Sequence, residues 1–211
     1  MRIVRIKHVA VLLAVAATAG LSAPSASAWG YGVYPCQQRT VLPAFSAWSD
    51  GADYFRIPNG GFESGGWRWS LWGGASIDST TNEPWFVFDQ PSQSETRVLA
   101  LPSGSGAASG RLCVGAGEEA VRLFVNRPGV AGASLDVTVT ATNPDPPNPS
   151  ISATVQIDGT DPGWAPSDRI IVPANFGTAG TEILQVRITP SGEPADWQVD
   201  DVAVDPWRHC C

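Results

Sequence analysis

Three groups of residues in this 211-residue chain have chemistry to offer: four cysteines, carboxylates that include the adjacent pair Asp200 and Asp201, and nine tryptophans. Carboxylates in pairs move protons, hold a hard cation or anchor a guanidinium, and an indole ring offers an apolar face on which a pyranose can stack. Nucleophilic catalysis has little to work with. Of the two histidines, His8 falls in the N-terminal leader and His209 near the chain end, so a Ser-His-Asp or Cys-His arrangement would need a base from a terminal tail. There is no zinc spacing of His and Cys, no Gly-x-Ser-x-Gly elbow and no dinucleotide fingerprint. The small-residue stretch 103–110 is not followed by Lys-Ser or Lys-Thr, so it reads as a surface loop and not as a phosphate cradle. Acids alone suffice for glycoside cleavage, and Glu63, Glu83, Asp89, Asp200 and Asp201 are at hand. Acidic residues are nonetheless common on exported surfaces, and a domain this small with this pattern reads as a binding module, not an enzyme.

The N-terminus carries Arg2, Arg5 and Lys7, then an apolar run, then small residues ending Ala26-Ser-Ala28. That is the three-part layout of a secretory signal peptide, with mature protein expected from Trp29. The apolar run is well short of the roughly 20 residues needed to cross a bilayer, so no membrane span is expected. Removing the signal takes three basic residues and no acidic ones, which moves the formal charge from -7 to -10. An acidic surface repels phosphate backbones, so nucleic acid is not an expected partner. The reading is a secreted, extracellular protein with residues 1–28 as signal, 29–56 as an N-terminal segment, 57–206 as one domain and 207–211 as a tail. An even number of cysteines in an exported chain points to disulfides, with three pairings possible among Cys36, Cys113, Cys210 and Cys211. Cys36 with Cys113 is favoured because it would staple the N-terminal segment to the domain, contributing about 4 kcal/mol in the chain-entropy model. The tail pair then forms a vicinal bridge, joins chains or stays reduced.

The elements that must position these groups are strands. Leu135, Val137, Val139 and Ala141 alternate with Asp136, Thr138, Thr140 and Thr142, and Ile151, Ala153, Val155 and Ile157 alternate with Ser152, Thr154, Gln156 and Asp158. Between them, the proline-rich run 143–149 is a stiff, exposed connection. Segments 67–71, 85–88, 96–101, 121–126, 169–172, 182–189 and 197–204 are further strands, and nothing after the leader sustains a helical period. An all-β, antiparallel β-sandwich is the expected fold. In the last strand, simple alternation sets Trp197, Val199, Asp201 and Ala203 on one face and Gln198, Asp200, Val202 and Val204 on the other. Either way one carboxylate lies among apolar neighbours, where it must meet a cation, an Arg such as Arg56 or Arg68, backbone N–H groups or a proton.

The run Asn59-Gly-Gly-Phe-Glu63-Ser-Gly-Gly-Trp67, the segments Asn82-Glu-Pro84 and Cys113-Val-Gly115, the early Cys36 and the ending Trp197-Gln-Val-Asp200-Asp201-Val202 span nearly all of the mature chain. This constellation resembles uncharacterised secreted bacterial proteins and, more broadly, carbohydrate-binding modules of the galactose-binding-like jelly-roll type. The resemblance implies that the strand with the Asn59 motif lies close to the last strand, and that Glu63 with Asp200 or Asp201 would hold a structural calcium ion, whose preference is for such oxygen ligands. It also implies weak binding of a cell-wall or environmental polysaccharide. Core packing is the first expectation for any tryptophan, and Trp67, Trp69 and Trp197 are assigned to the core. Trp72 precedes Gly73 and Gly74, Trp85 follows a proline turn and Trp164 follows Asp161-Pro-Gly163, so these three are the candidates for stacking on sugar. The rival reading is an extracellular interaction or envelope protein without glycan binding, meeting a partner or a second copy through Cys210 and Cys211.

Overall fold

The computed structural model describes residues 36, 39–79, 84–85, 87–88, 95–115, 120–144, 149–172 and 181–205. The leader 1–28, Trp29, Glu83, Asp89, Trp207, His209 and the Cys210 and Cys211 tail lie outside the described residues. The described strands are β1 Phe55–Arg56, β2 Trp69–Trp72, β3 Ser76–Asp78, β4 Val98–Leu101, β5 Gly106–Ser109, β6 Leu112–Gly115, β7 Ala120–Arg127, β8 Ala133–Thr142, β9 Ser150–Asp158, β10 Gly163–Pro166, β11 Ile170–Ile171, β12 Thr181–Gly192 and β13 Trp197–Asp205. They form two antiparallel sheets packed as a sandwich. One runs β10-β7-β13-β4-β3, with β1 added to β13 and β11 to β7; the other runs β2-β5-β12-β8-β9, with β6 added to β12.

Period two builds the core. Leu135, Val137, Val139 and Ala141 of β8 and Leu184, Val186 and Ile188 of β12 meet Leu99, Leu101, Leu123, Val125 and Val199 of the opposite sheet, all of them buried. Threonines and serines at the alternate positions of β8 and β9 face water and pair across the strands.

Stretch 103–110, read above as a surface loop, is a correction. Its second half is strand β5, buried between β2 and β12, and its smallness serves packing: a Cβ on Gly106 would lie 2.2 Å from the Trp72 ring. Trp67 is a second correction, 47% exposed instead of in the core. The strand begins at Trp69, and Arg68, at φ 62°, breaks the alternation that would have carried Trp67 inward with Trp69 and Leu71.

The last strand departs from simple alternation as well. Asp200 pairs with Phe124 and Ala203 with Arg122, so β13 advances three residues while β7 advances two. The extra residue is a β-bulge, with Asp201 at φ 47°. The bulge resets parity. Trp197 and Val199 face the core before it and Val202 and Val204 after it, while Ala203 joins a separate aromatic cluster on the outer face.

That outer cluster is roofed by the N-terminal segment. Phe45 stacks on Phe124 at 5.3 Å, Tyr54 meets Phe45 edge-on at 4.7 Å, and Trp48 meets Trp85 edge-on at 4.9 Å. Arg122, 8% exposed, holds the roof down: its Nη1 donates to Asp50 at 2.7 Å, its Nε donates to the Ser167 carbonyl at 2.8 Å, and its guanidinium lies over Phe45. Further upstream, the Cys36–Cys113 disulfide spans 77 residues and fastens the segment to β6, as expected. Arg39 supports it by donating to the Cys113 carbonyl while lying over the Phe55 ring.

Burial would raise the Asp50 carboxyl, but hydrogen bonds from Tyr54, the Ala52 N–H and Arg122, with the guanidinium's charge, outweigh it and hold Asp50 below the ordinary aspartate value. A depressed carboxyl stabilises the fold above the unfolded aspartate pKa of about 3.9, and that contribution is lost as pH falls through the native value. Asp50→Ala strands a buried guanidinium and is expected to cost about 3–5 kcal/mol at pH 7 in urea unfolding. The gap between variant and parent should narrow as pH falls from about 3.9 toward the depressed native value, where the folded parent's carboxylate takes up its proton.

Candidate functional site

The carboxylates named from the sequence come together only in part. Asn59 organises the first motif: its side-chain amide donates to the carbonyls of Gly65 and Trp67, both at 2.8 Å, and its Oδ1 accepts from the Ser64 N–H at 2.9 Å. The turn so formed lies against the last strand. Ile57 N–H donates to the Val202 carbonyl at 3.0 Å, and Val202 N–H donates to the Gly60 carbonyl at 3.1 Å. Only glycine fits at 60, because a Cβ there would sit 2.4 Å from the Val202 carbonyl oxygen. Phe62 is fully buried against Trp69, whose Nε1 donates to the Asn59 carbonyl. The motif is therefore a structural joint between the start and the end of the domain.

Glu63 turns to neither aspartate. Its carboxylate accepts from the N–H groups of Thr96 at 2.8 Å and Arg97 at 2.9 Å, and from the Thr96 hydroxyl at 3.2 Å, which anchors the entry to β4. Asp200 and Asp201 are both fully buried. Asp200 Oδ1 accepts from the Asp201 N–H at 2.8 Å, and Asp201 Oδ1 pairs with Arg56 Nη1 at 3.1 Å. Arg56 also pairs with Glu95, and Gly61 leaves its guanidinium room, since a Cβ at 61 would meet Nη1 at 2.4 Å. A fixed guanidinium thus supplies positive charge where calcium was expected. Among the described residues no group of three or more His, Cys, Asp or Glu side chains is placed to hold a metal ion.

The three candidate tryptophans are all half-buried, in three different settings. Trp85 is part of the roof, stacked on Phe124 at 5.5 Å and edge-on to Trp48. Trp164 lies in register opposite Asn126 and packs against the rim of the same cluster. Trp72 stands apart on the outer face of the second sheet, lying across Gly106, with the exposed Arg187 guanidinium 4.3 Å from its ring centroid.

Around Trp72 the second sheet presents a polar grid. Register lines up Ser70, Ala108, Arg187, Thr138 and Thr154 across five strands. Cross-strand pairs tie the grid together: Thr138 with Thr154 at 2.8 Å, Thr140 with Ser152 at 2.8 Å, and Gln156 donating to Asp136 at 3.1 Å. Gln185, on the same face, donates to the Ser109 carbonyl at 2.9 Å. An aromatic plate with a guanidinium and rows of hydroxyls is the chemistry that recognises a polyhydroxylated chain. The sequence named Trp72 as a candidate, with Trp85 and Trp164, but did not single out Arg187, Gln185 or Thr138. Their polar alternation was visible; that β12 lies between β5 and β8, and so carries Arg187 to Trp72, was not.

No family model matches the sequence, and no curated protein matches it. Among solved structures, the chain is similar to an arabinose-bound α-L-arabinofuranosidase, at 14% identity and TM-score 0.47, covering 74% of this chain and 27% of that one. It is similar to a Clostridium thermocellum endo-1,4-β-D-xylanase fragment complexed with xylohexaose, at 13% identity and TM-score 0.47, covering 74% and 29%. A family 16 carbohydrate-binding module matches at 18% identity and TM-score 0.43, covering 71% of this chain and 99% of that one. The chain thus spans less than a third of the first two structures. Several of the other similar structures are also carbohydrate-binding modules.

With Arg56 already between Glu95 and Asp201, the melting temperature is expected to be the same in calcium and in chelator. A rise of several degrees in calcium, reversed by chelator, would restore a metal to this structure.

Proposed function

We propose that this protein is a secreted, non-catalytic carbohydrate-binding module whose open six-stranded face takes a polysaccharide chain. The observation that carries the reading is Trp72, laid across Gly106 with Arg187 on its ring and the hydroxyl and amide rows beside it. A pyranose stacks by taking the place of the mobile-stemmed guanidinium on the ring, and the displaced Arg187 donates to sugar hydroxyls. Two further points support it. The acidic balance of the chain disfavours polyanions, which leaves neutral glycans as ligands. Asp200 and Asp201, fully buried and committed to backbone and guanidinium, are out of reach of any substrate, which favours binding over glycoside cleavage. Export and an extracellular location agree with the Cys36–Cys113 disulfide.

Pull-down on insoluble cellulose, xylan, mannan and chitin, followed by titration of the matching oligosaccharides, tests the reading. Trp72→Ala is expected to weaken binding by about tenfold or more, equivalent to about 1.4 kcal/mol, with the melting temperature followed as well because the half-buried ring also packs on Gly106. Arg187→Ala should weaken it less. Glycan binding that survives Trp72→Ala unchanged would move the site off this face. A blank glycan panel, combined with disulfide-linked dimers that disappear in Cys210→Ser and Cys211→Ser, would replace this reading with an interaction protein.

A further inference from the structure

The seven-stranded sheet is roofed over only part of its outer face. Past the aromatic cluster, register lines up Ser76, Ala100, Gln198, Asn126 and Trp164 across β3, β4, β13, β7 and β10. These are the outward positions, since Leu99, Leu101, Val125 and Val199 beside them face the core. A groove of about 430 Å³ opens over Ser76, Ala100, Gln198 and Asn126 of this row and reaches Asp78, Arg127 and Asp196. Small-ligand sites run from about 300 to 1,000 Å³.

The groove's polar groups are arranged with a definite pattern. Asn126 Nδ2 donates to Gln198 Oε1 at 2.9 Å, which fixes both amides and leaves Asn126 Oδ1 as an acceptor beside Gln198 Nε2 as a donor. An acceptor and a donor held side by side complement two adjacent hydroxyls, one donating and one accepting. Ser76 donates to Asp78 Oδ1 at 3.3 Å, which orients that carboxylate and leaves its second oxygen to accept from a third hydroxyl. Two carboxylates, Asp78 and Asp196, stand against one guanidinium, so a carboxylated or phosphorylated ligand meets net repulsion.

We propose that this groove is a second binding site, separate from the open face, for a neutral ligand with vicinal hydroxyls: a single sugar unit or the end of a glycan chain. It goes beyond the reading of the open face and does not depend on it. Sites on opposite sheets would let one domain bridge two glycan chains, with the avidity that simultaneous engagement brings.

The test uses the secreted chain labelled with nitrogen-15. The side-chain amide signals of Asn126 and Gln198 are followed during titration with the methyl glycosides of glucose, galactose, mannose, xylose and arabinose, and with glucuronate and galacturonate. At least one neutral glycoside is expected to shift both signals and saturate in the millimolar range, while the uronates leave them in place. Gln198→Glu, which keeps shape and removes the donor, and Asn126→Leu should each weaken the response at least tenfold, with polysaccharide pull-down through Trp72 unchanged. The proposal is overturned if no neutral glycoside moves these signals, if uronates bind as tightly, or if binding persists in Gln198→Glu. Trp72→Ala separates the two readings: it should weaken binding to the open face by about tenfold or more and leave the groove titration as it was.

Discussion

The structure depends on one junction, where the glycine turn after β1 closes on the bulge of β13. Gly60 brings backbone against the Val202 carbonyl, two backbone hydrogen bonds seal the contact, and Arg56 reaches between Glu95 and Asp201. A buried carboxylate without a counter-charge is costly, and removing one partner of such a group typically costs about 3–5 kcal/mol. The bulge makes the arrangement possible by turning Asp201 toward Arg56 without breaking the apolar sequence Trp197, Val199, Val202, Val204 that lines the core. Because β13 sits between β7 and β4, its register also sets where Gln198 meets Asn126 and where Ala203 lies under the roof.

The two outer faces of the sandwich differ because one of them is partly used up by the chain itself. Segment 42–54 and Trp85 lay aromatic rings over Phe124, so Phe45, Trp48, Tyr54 and Trp85 are committed to packing. Arg122 and Asp50 add a charge pair at the seam, and the disulfide keeps the upstream end from peeling away. The second sheet has no such roof among the described residues, and its outward side chains are mostly hydroxyls and amides held in cross-strand pairs. Among the described residues Trp72 is the large ring on that face, which makes its position more informative than the number of tryptophans in the chain.

Much of the fold was legible because strand burial alternates and hydrophobicity alternates with it. β8 and β9 could be read directly: each has one wet face, and the wet residues are Thr, Ser, Gln and Asp. β5 was missed because Gly106, Ala107 and Ala108 carry no pattern of their own; small side chains are compatible with a loop and with a strand squeezed between neighbours. Trp67 was misplaced for a related reason, since an indole normally prefers the interior, but the left-handed backbone at Arg68 turns it outward. Arg56 stood among the partners weighed for the aspartates, whereas Glu95 was not foreseen, as nothing local connects residue 95 to residue 201.

By itself the sequence determined the sandwich, because alternation is carried locally by each strand, and it favoured Cys36 with Cys113 among three possible pairings; that the first motif meets the last strand came from the resemblance its motifs carry. Tertiary structure alone decided which tryptophan stays near solvent beside a polar grid, which cation neutralises Asp201, and that Asn126 and Gln198 share a groove. Those outcomes depend on strand order and on one inserted residue in β13. A one-residue shift reverses every side chain beyond it, and no local signal in the chain marks where the shift occurs.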